Sequence, residues 1–451
     1  MAGDRNEINM TYGAMTGKII KFAVPLMLSG ILQLLFNSAD MIVVGKFSGD
    51  YALASVSATS TITNLLINLF IGLSLGATVT VSRYYGNNHS EGMEKSSHTA
   101  VTLSFICGLF LALIGNILAK PLLKLTGVPD EIISNSVLYL RIIFAGMPFN
   151  MLYNFSSGIM RAYGDTKKPF LYLAIAGVVN VCLNLFFVIV CHMSVEGVAI
   201  ATVTSQAISA LLVLRALMKV DNGCRISFSK LHIHKEQLKM ILAAGIPSGI
   251  QSCMFSISNI LIQSSINSFG ADVIAGSGAG GTIEGYVYVA MNAFGNAAVT
   301  MSSQNYGAHK IHRILKGWLA CLACVSVVGL SISWLVILLS KPLVNLFVSA
   351  PLVIETGIQR LFYICALYFT CGCMEVSTGV TRGMGYYIHP MILSVFGVCV
   401  FRVLWIFTVF EKIHTLPCLY ISYPISWILT FSVQSVIFVV LAKKKIKNQI
   451  S

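Results

Sequence analysis

The sequence predicts an all-α polytopic membrane protein with twelve transmembrane helices, arranged as two six-helix lobes that repeat each other. Three observations lead to this fold class. Apolar residues make up 56% of the 451 residues and charged residues only 10%, whereas about 25% of a soluble protein is charged. The apolar residues come in long blocks, and one register aligns the first half of the chain with the second. A water-soluble globular protein is therefore excluded.

The apolar blocks are separated by short polar loops. Each block is about 20 to 28 residues long, the length that a helix needs to cross roughly 30 Å of hydrocarbon. A transmembrane barrel would instead contain ten-residue segments of alternating hydrophobicity. We therefore expect helices over 19–44, 52–83, 98–119, 133–160, 170–191, 195–217, 240–268, 272–303, 316–340, 354–381, 389–410 and 417–442.

The basic residues are distributed unevenly between the two sides of this predicted bundle. Alternate loops, including both termini, hold 22 of the 30 Lys and Arg, and the opposite loops hold five. The other three, Arg141, Arg360 and Arg402, lie inside predicted spans. By the positive-inside rule, this excess places both termini in the cytoplasm of a cell whose inner membrane the protein spans. The net charge of +13 therefore serves orientation and contact with membrane lipid, and no nucleic acid is expected as a partner.

One offset joins the two halves of the chain. Residues 157–169 (SGIMRAYGDTKKP) align with 378–390 (TGVTRGMGYYIHP) at a shift of 221, which matches two glycines, an arginine and a proline. The dipeptide Tyr-Gly at 85–86 meets Tyr-Gly at 306–307 at the same shift. Matches at one register in separate segments indicate an internal repeat.

The repeat predicts an N-terminal lobe over 1–217, a basic cytoplasmic linker over 218–239 and a C-terminal lobe over 240–451. Because each lobe has an even number of spans, both lobes point the same way across the membrane. They are then related by a pseudo-two-fold axis along the membrane normal. Transporters place parallel repeats of this kind around a central substrate path.

Three of the seventeen acidic residues, Asp40, Glu284 and Glu375, are predicted to lie within spans. Ionisable groups inside a membrane are costly, usually face the bundle interior or a water-filled cavity, and mark substrate and ion paths. The repeat does not duplicate them, since Glu375 aligns with Asn154. For Glu284 and Glu375, three roles stay open: substrate binding, structural pairing with an arginine or amide, and ion coupling.

Asp40 is expected near the outer end of the first span, at the depth of polar residues on the fifth and sixth spans. Asn180 and Asn184 are four residues apart, so both amides lie on one helix face, and Thr202 falls at a similar depth. The oxygens of Asp40, Asn180 and Thr202 predict either a site for a small cation or a polar shell for a carboxyl group that takes up a proton. The alternative is structural, with Asp40 at the outer interface and the Asn side chains joining helices.

Other polar and aromatic side chains on the spans are candidates to line a substrate cleft, where aromatic rings would favour flat cations. The candidate substrate-binding residues are Glu284, Glu375, Asn154, Tyr153, Phe36 and Tyr286. No Walker lysine, Ser-His-Asp set or HExxH motif occurs in the sequence. We therefore predict that the protein is not an enzyme and uses no cofactor.

Several motifs in order resemble one family of transporters. They are DMIVVG at 40–45, GIMRAYGDTKKP at 158–169, GVAIATVTSQ at 197–206 and QNYG at 304–307. Together they resemble the multidrug and toxic compound extrusion family, MATE, and the likeness extends over the whole chain. The resemblance implies two six-helix lobes around a cleft, and antiport by alternating access that exports amphipathic organic cations as Na⁺ or H⁺ flows inward.

By motif position, Asp40, Asn180 and Thr202 match the residues that the family uses around its coupling cation. Asn184 stands where many bacterial members have Asp, which removes one charge and leaves the choice between Na⁺ and H⁺ open. The alternative function is a lipid-linked oligosaccharide flippase of the same superfamily. The expected partners are small organic cations and membrane lipid, and the expected state is a monomer.

Overall fold

The computed structural model describes residues 7–450. Residues 1–6 of the predicted N-terminal lobe and residue 451 of the predicted C-terminal lobe lie outside this range. Within it the chain forms helices and connecting turns, with no β-strand. Hydrocarbon favours this outcome because a helix satisfies its backbone hydrogen bonds within one segment. The predicted all-α fold is confirmed.

Twelve long helical segments occur in the described range, numbered in chain order, with letters for the parts of a bent segment. The first six are α1 (Met15–Phe47), α2 (Asp50–Gly86), α3 (Ser90–Leu125), α4a (Asp130–Ala145) with α4b (Met147–Ala162), α5 (Lys167–Leu185) and α6 (Val195–Met218). The other six are α7 (Lys235–Asn267), α8 (Ala271–Gly307), α9 (Ile311–Leu338), α10a (Pro351–Cys365) with α10b (Phe369–Gly383), α11 (Ile388–Phe410) and α12 (Leu416–Ile450).

Most of these segments are transmembrane helices by length and apolarity. Among residues 7–450, nine helices qualify alone, and up to eleven spans are counted when α4 and α10 each form one. The remaining segment, α8, has 37 residues and is therefore about 55 Å long at 1.5 Å per residue. Gly, Ser, Thr and Asn at many of its positions lower its hydropathy, while small residues allow close helix packing. Twelve helices in two repeats therefore fit the structure.

The predicted fourth and tenth spans are bent rather than continuous. The two parts of α4 meet at 44° and those of α10 at 45°. In α4, Gly146 lies at the break, and Pro148 lacks the N–H that would reach the carbonyl of Phe144. In α10 the N–H of Tyr368 bonds to the carbonyl of Cys365 at 3.1 Å, which is a tighter i to i+3 turn. The breaks occupy matching positions of the repeat.

The backbone turns also repeat at the offset found in the sequence. Gly164 and Gly385 both have φ of +97°, and Asn88 and His309 have φ of 54° and 57°. Each pair is separated by 221 residues. Glycine suits this positive φ because it has no Cβ, and a Cβ on Gly164 would also lie 2.3 Å from the carbonyl oxygen of Ile8.

The chain divides into two compact units. The N unit contains residues up to Ile8 and Leu28–Gly249, and the C unit contains Asn9–Met27 and the residues from Ile250 onward. α1 and α7 therefore each contribute one part to each unit. The lobe boundaries at 217 and 240 stay a prediction.

The linker is folded onto the N unit. Ile226 is buried and belongs to the apolar core formed mainly by α2, α3, α4 and α6. The N–H of Ser227 donates to Nε2 of His98 at 3.0 Å, and Nζ of Lys230 lies 2.7 Å from the carboxylate of Glu94. This segment is thus a packed part of the unit.

Candidate functional site

The packing of α1 against α5 sets the position of Asp40. Phe36 and Asp40 are one turn apart on α1 and therefore share a face. The Phe36 ring occupies the space beside Gly177 of α5, where a Cβ would lie 1.7 Å from the ring. This contact places Asp40 against Asn180 and Asn184, which lie further along α5.

The structure brings the four predicted coupling residues together in the N unit. The Asn184 side-chain N–H donates to one carboxylate oxygen of Asp40, and the Thr202 hydroxyl lies 3.2 Å from the other. Nδ2 of Asn184 also lies 3.4 Å from Oδ1 of Asn180. Both asparagines are buried, and Asp40 and Thr202 are half-buried. Neutral groups therefore surround one carboxylate.

The Thr202 hydroxyl has a second acceptor. Its oxygen lies 2.9 Å from the carbonyl oxygen of Val198 one turn earlier, and a hydroxyl carries one proton and two lone pairs. When this proton points to Val198, the Thr202 oxygen is free to accept from a protonated Asp40. The site can therefore accommodate both protonation states of the carboxyl group.

The side-chain oxygen of Asn184 is a buried acceptor without a donor among the described residues. Most buried polar atoms have a partner, so this one fits a cation. Oxygens of Asp40, Asn180 and Thr202 complete a set of the hard ligands that small cations prefer. In residues 7–450 no group of three His, Cys, Asp or Glu is placed to hold a metal ion. Neutral oxygens would thus share the cation with one carboxylate.

The helices that contain Asp40 and Thr202 also contribute to a small apolar cluster. Tyr139 of α4a packs against a cluster of buried residues from α1, α2 and α6 and the turns beside them. Low-dielectric surroundings strengthen electrostatic interactions. The cluster consists of Val43, Val44, Ala52, Val56, Val188, Val195 and Val198.

Glu284 is one member of a buried ion pair in the C unit. Nε and Nη2 of Arg360 lie 3.1 and 2.8 Å from its Oε2, and the Tyr368 hydroxyl lies 3.4 Å from its Oε1. The third nitrogen of Arg360 donates to Oγ of Ser277 at 2.8 Å. Both charged side chains are 11% exposed. Of the roles left open for Glu284, structural pairing describes these contacts.

Glu375 has different surroundings. It is 9% exposed, and its Cβ lies 3.2 Å from the point where a Cβ on Gly295 would stand, so α10b and α8 are close here. In the described part of the chain, no hydrogen bond or ion pair reaches its carboxylate. Arg382 of the same helix donates to Oε1 of Gln251 at 2.7 Å instead. Among the described residues, Glu375 is therefore a buried carboxylate of the C unit that has no ion-pair partner.

The other candidate substrate-binding residues make local contacts. Asn154 donates to the carbonyl oxygen of Asn150 at 2.9 Å, and the Tyr153 hydroxyl lies 3.4 Å from the carbonyl oxygen of Pro169. Tyr286 is half-buried on α8. Three members of the predicted set lie in the N unit and three, including both glutamates, in the C unit. No single unit contains them all.

Sequence reasoning placed Arg360 within a span but did not name its partner. Arg360 lies about 14 Å from the start of α10a, and Glu284 lies about 20 Å from the start of α8, at 1.5 Å per residue. Both helices are predicted to begin on the same side of the membrane. A comparison of the two depths in the membrane would therefore have predicted that Arg360 and Glu284 lie near each other. Their facing orientation needed the structure.

A family model described as MatE matches residues 25–186 and 247–408. The probable multidrug resistance protein YpnP of Bacillus subtilis (strain 168) is 30% identical over 396 residues, covering 87% of this chain and 88% of the relative. The probable multidrug resistance protein YoeA of the same organism is 27% identical over 386 residues, covering 84% and 83%. The family match covers more than two thirds of the chain and falls once in each half.

The fold is also similar to that of a solved MATE family transporter. A solved structure of an outward-facing multidrug resistance MATE family transporter of the MOP superfamily superposes with a TM-score of 0.92, at 21% identity, covering 99% of this chain and 100% of that chain. The double family match, the internal repeat and the polar group at Asp40 agree with one another. This chain therefore belongs to the MatE family, the multidrug and toxic compound extrusion transporters.

Proposed function

We propose that this MATE family transporter is an antiporter that exports amphipathic organic cations in exchange for inward-moving Na⁺ or H⁺. The observation that carries the proposal is the single carboxylate of Asp40, held within a transmembrane helix by Asn184 and Thr202. An enclosed carboxylate surrounded by neutral groups has a strong preference for a positive companion. The protein acts as a monomer in the inner membrane.

Exchange follows from the cost of leaving this carboxylate bare. Removing its cation without compensation would leave an isolated charge in low dielectric, which is strongly unfavourable. Asp40 therefore releases its ion only when substrate binding, or the rearrangement tied to it, compensates the charge. A monovalent cation moving inward supplies about 2.3 kcal/mol per 100 mV of membrane potential. Alternation between two access states converts this energy into export.

The contacts at Asp40 support both coupling ions. The unpartnered oxygen of Asn184 supports Na⁺, because it supplies a ligand beside the carboxylate. The Thr202 oxygen supports H⁺, because it can accept from a protonated carboxyl group. Transport assays with each gradient imposed separately distinguish the two: efflux driven by a Na⁺ gradient at equal pH identifies Na⁺, and efflux driven by a pH gradient without Na⁺ identifies H⁺.

Glu375 is the carboxylate that we propose for the substrate cation. Unlike Glu284, it is not occupied by an arginine, and it stands beside α8 at Gly295. Tyr288 lies on α8 two turns before Gly295 and is 39% exposed. An aromatic face near a carboxylate suits a flat organic cation.

The coupling role is tested with Asp40→Asn. The amide keeps the shape of the side chain but has no charge to hold a cation, so gradient-driven ethidium efflux should fall to the background of vesicles that lack the protein. The measurement is ethidium fluorescence in membrane vesicles under an imposed ion gradient.

Asp130→Asn is the matched control, because Asp130 is an exposed residue at the start of α4a and efflux should stay normal. Immunoblotting confirms equal amounts of both variants in the membrane. Normal ethidium efflux in Asp40→Asn would refute the coupling role.

A further inference from the structure

The C unit contains a buried arginine without a counter-ion. Arg402 of α11 is 4% exposed and lies about 12 Å before the end of that helix, at 1.5 Å per residue. Its Nε donates to Oγ of Ser426 at 3.0 Å, while Nη2 is buried without an acceptor among the described residues. No carboxylate in residues 7–450 lies within 4.0 Å of this guanidinium group.

The acidic residues of the C unit do not compensate Arg402. Glu284 acts on it only at longer range and is already paired with Arg360. Among the described residues Glu375 makes no ion pair, and Arg382, which is half-buried in the last turn of α10b, bonds to Gln251. Within the described residues, Arg402 therefore has a hydroxyl partner and no carboxylate partner.

Two aromatic side chains of α12 flank the guanidinium group. Its carbon lies 4.0 Å from the ring centroid of Tyr423 and 5.6 Å from that of Trp427. Tyr368 packs on Trp427 with ring centroids 4.8 Å apart. Cation–π attraction offsets part of the desolvation cost of a buried charge, but it leaves the in-plane N–H groups unsatisfied. A guanidinium group held by its face presents its edge to an oxyanion.

The helix around Arg402 is irregular in a way that the repeat does not explain. α11 has π-helical turns at Val395–Val400 and Ile406–Phe410, on both sides of the arginine. The second has a counterpart at Phe186–Val190 after α5, whereas the first has none. Arg402 itself aligns with Val181 at the offset of 221. π-helical turns occur frequently at functional sites, and the first of these turns is present in α11 but not at the matching positions of α5.

We propose that Arg402, Tyr423 and Trp427 form a binding subsite for the anionic group of an aromatic substrate. The free N–H groups of Arg402 would donate to a carboxylate or similar oxyanion, which charge-assisted hydrogen bonds favour. The attached ring would lie in the aromatic surroundings of α12. This inference rests on the transport function proposed above and extends the substrate class from organic cations to molecules that carry a negative group.

Two dyes with the same xanthene ring and opposite charge provide the test: fluorescein, an anion, and a cationic rhodamine ester. Binding of each to the purified full-length protein is measured by fluorescence polarisation in an uncharged detergent. Arg402→Gln should weaken fluorescein binding at least tenfold and change rhodamine binding by less than twofold. Arg141→Gln is the control, because it removes an exposed in-span arginine of the N unit, and both affinities should stay unchanged.

Arg402→Lys provides a second variant if Arg402→Gln does not yield monodisperse protein. Lysine keeps the charge but loses the planar fork, so fluorescein binding should weaken several-fold while rhodamine binding persists. Fluorescein affinity equal to that of the wild type in a folded Arg402 variant would overturn the proposal. A wild-type protein that does not bind fluorescein at all would overturn it too.

A lipid phosphate could supply the same oxyanion chemistry. A third arm therefore measures binding of short-chain phosphatidylglycerol to the wild type and to Arg402→Gln. Arg402-dependent binding of the lipid but not of fluorescein would overturn the assignment to substrate. All arms are equilibrium measurements without an ion gradient, so failure of ion coupling at Asp40 and failure of this subsite are distinguishable.

Discussion

Charged side chains inside this protein are stabilised in three different ways. Asp40 is surrounded by neutral donors, Glu284 by an arginine, and Arg402 by aromatic rings and one hydroxyl. Only the arginine partner cancels the charge. A charge that its surroundings leave uncancelled keeps an affinity for a mobile ion or ligand. This difference separates the residues that we propose for transport from those that stabilise the fold.

Glu284→Gln should destabilise the protein. The substitution leaves Arg360 buried without its carboxylate, and breaking a buried ion pair from one side costs about 3–5 kcal/mol. Scanning fluorimetry of the purified protein should therefore give a lower Tm. Glu355→Gln, which changes an exposed acid on α10a, is the matched control. An unchanged Tm for Glu284→Gln would contradict a structural role for this pair.

At the scale of helices, the contact of α1 with α5 determines the geometry of the coupling residues. Gly177 allows the Phe36 ring to approach the backbone of α5, and Asp40 follows one turn later on the same face of α1. Phe36 was predicted to bind substrate, and that role stays a prediction. The Phe36 ring contacts α5 at Gly177, so the size of this ring controls the distance between α1 and α5 near Asp40.

Gly177→Ala should lower both stability and ethidium efflux. The added Cβ would lie 1.7 Å from the Phe36 ring, so α1 must move and Asp40 loses its alignment with Asn184. Phe36→Ala in the same chain should restore part of the lost efflux by making room. Gly278→Ala is the control, because a Cβ there meets nothing within 4 Å. Equal efflux in the wild type and Gly177→Ala would show that this contact does not position Asp40.

At the scale of the whole molecule, both α1 and α7 contribute to two compact units. The sequence repeat divides the chain between α6 and α7. The compact units instead divide it within α1 and within α7. The reason is that a repeat follows chain order, while a compact unit follows packing. A long transmembrane helix can pack against different neighbours along its length.

Both termini should be accessible from the cytoplasmic side. Twelve transmembrane helices would return the chain to its starting side. Each Lys or Arg near anionic lipid contributes about 1 kcal/mol, so the excess of 22 basic residues over five predicts this orientation. Epitope tags on both ends should be cleaved by protease in everted vesicles and protected in intact spheroplasts. Tags that differ from each other in accessibility would contradict an even number of spans.

The sequence by itself determined the class of fold, the repeat and the residues around Asp40. Bilayer thickness sets the length of each apolar block, and helical periodicity puts Asn180 and Asn184 on one face. The bend in α4 also had a local signal, because Pro148 lies two residues after Gly146. These features follow from patterns within one segment or from the alignment and depth of separate segments, so the linear sequence is enough to predict them.

Tertiary structure alone decided which charges are cancelled. The pairing of Glu284 with Arg360, the free carboxylate of Glu375 and the aromatic surroundings of Arg402 depend on how helices distant in sequence are rotated about their axes. The bend in α10 also depended on tertiary structure, because no proline occurs at the break between Cys365 and Phe369. Rotation and bending are set by packing against neighbouring helices, and periodicity within one helix contains no information about them.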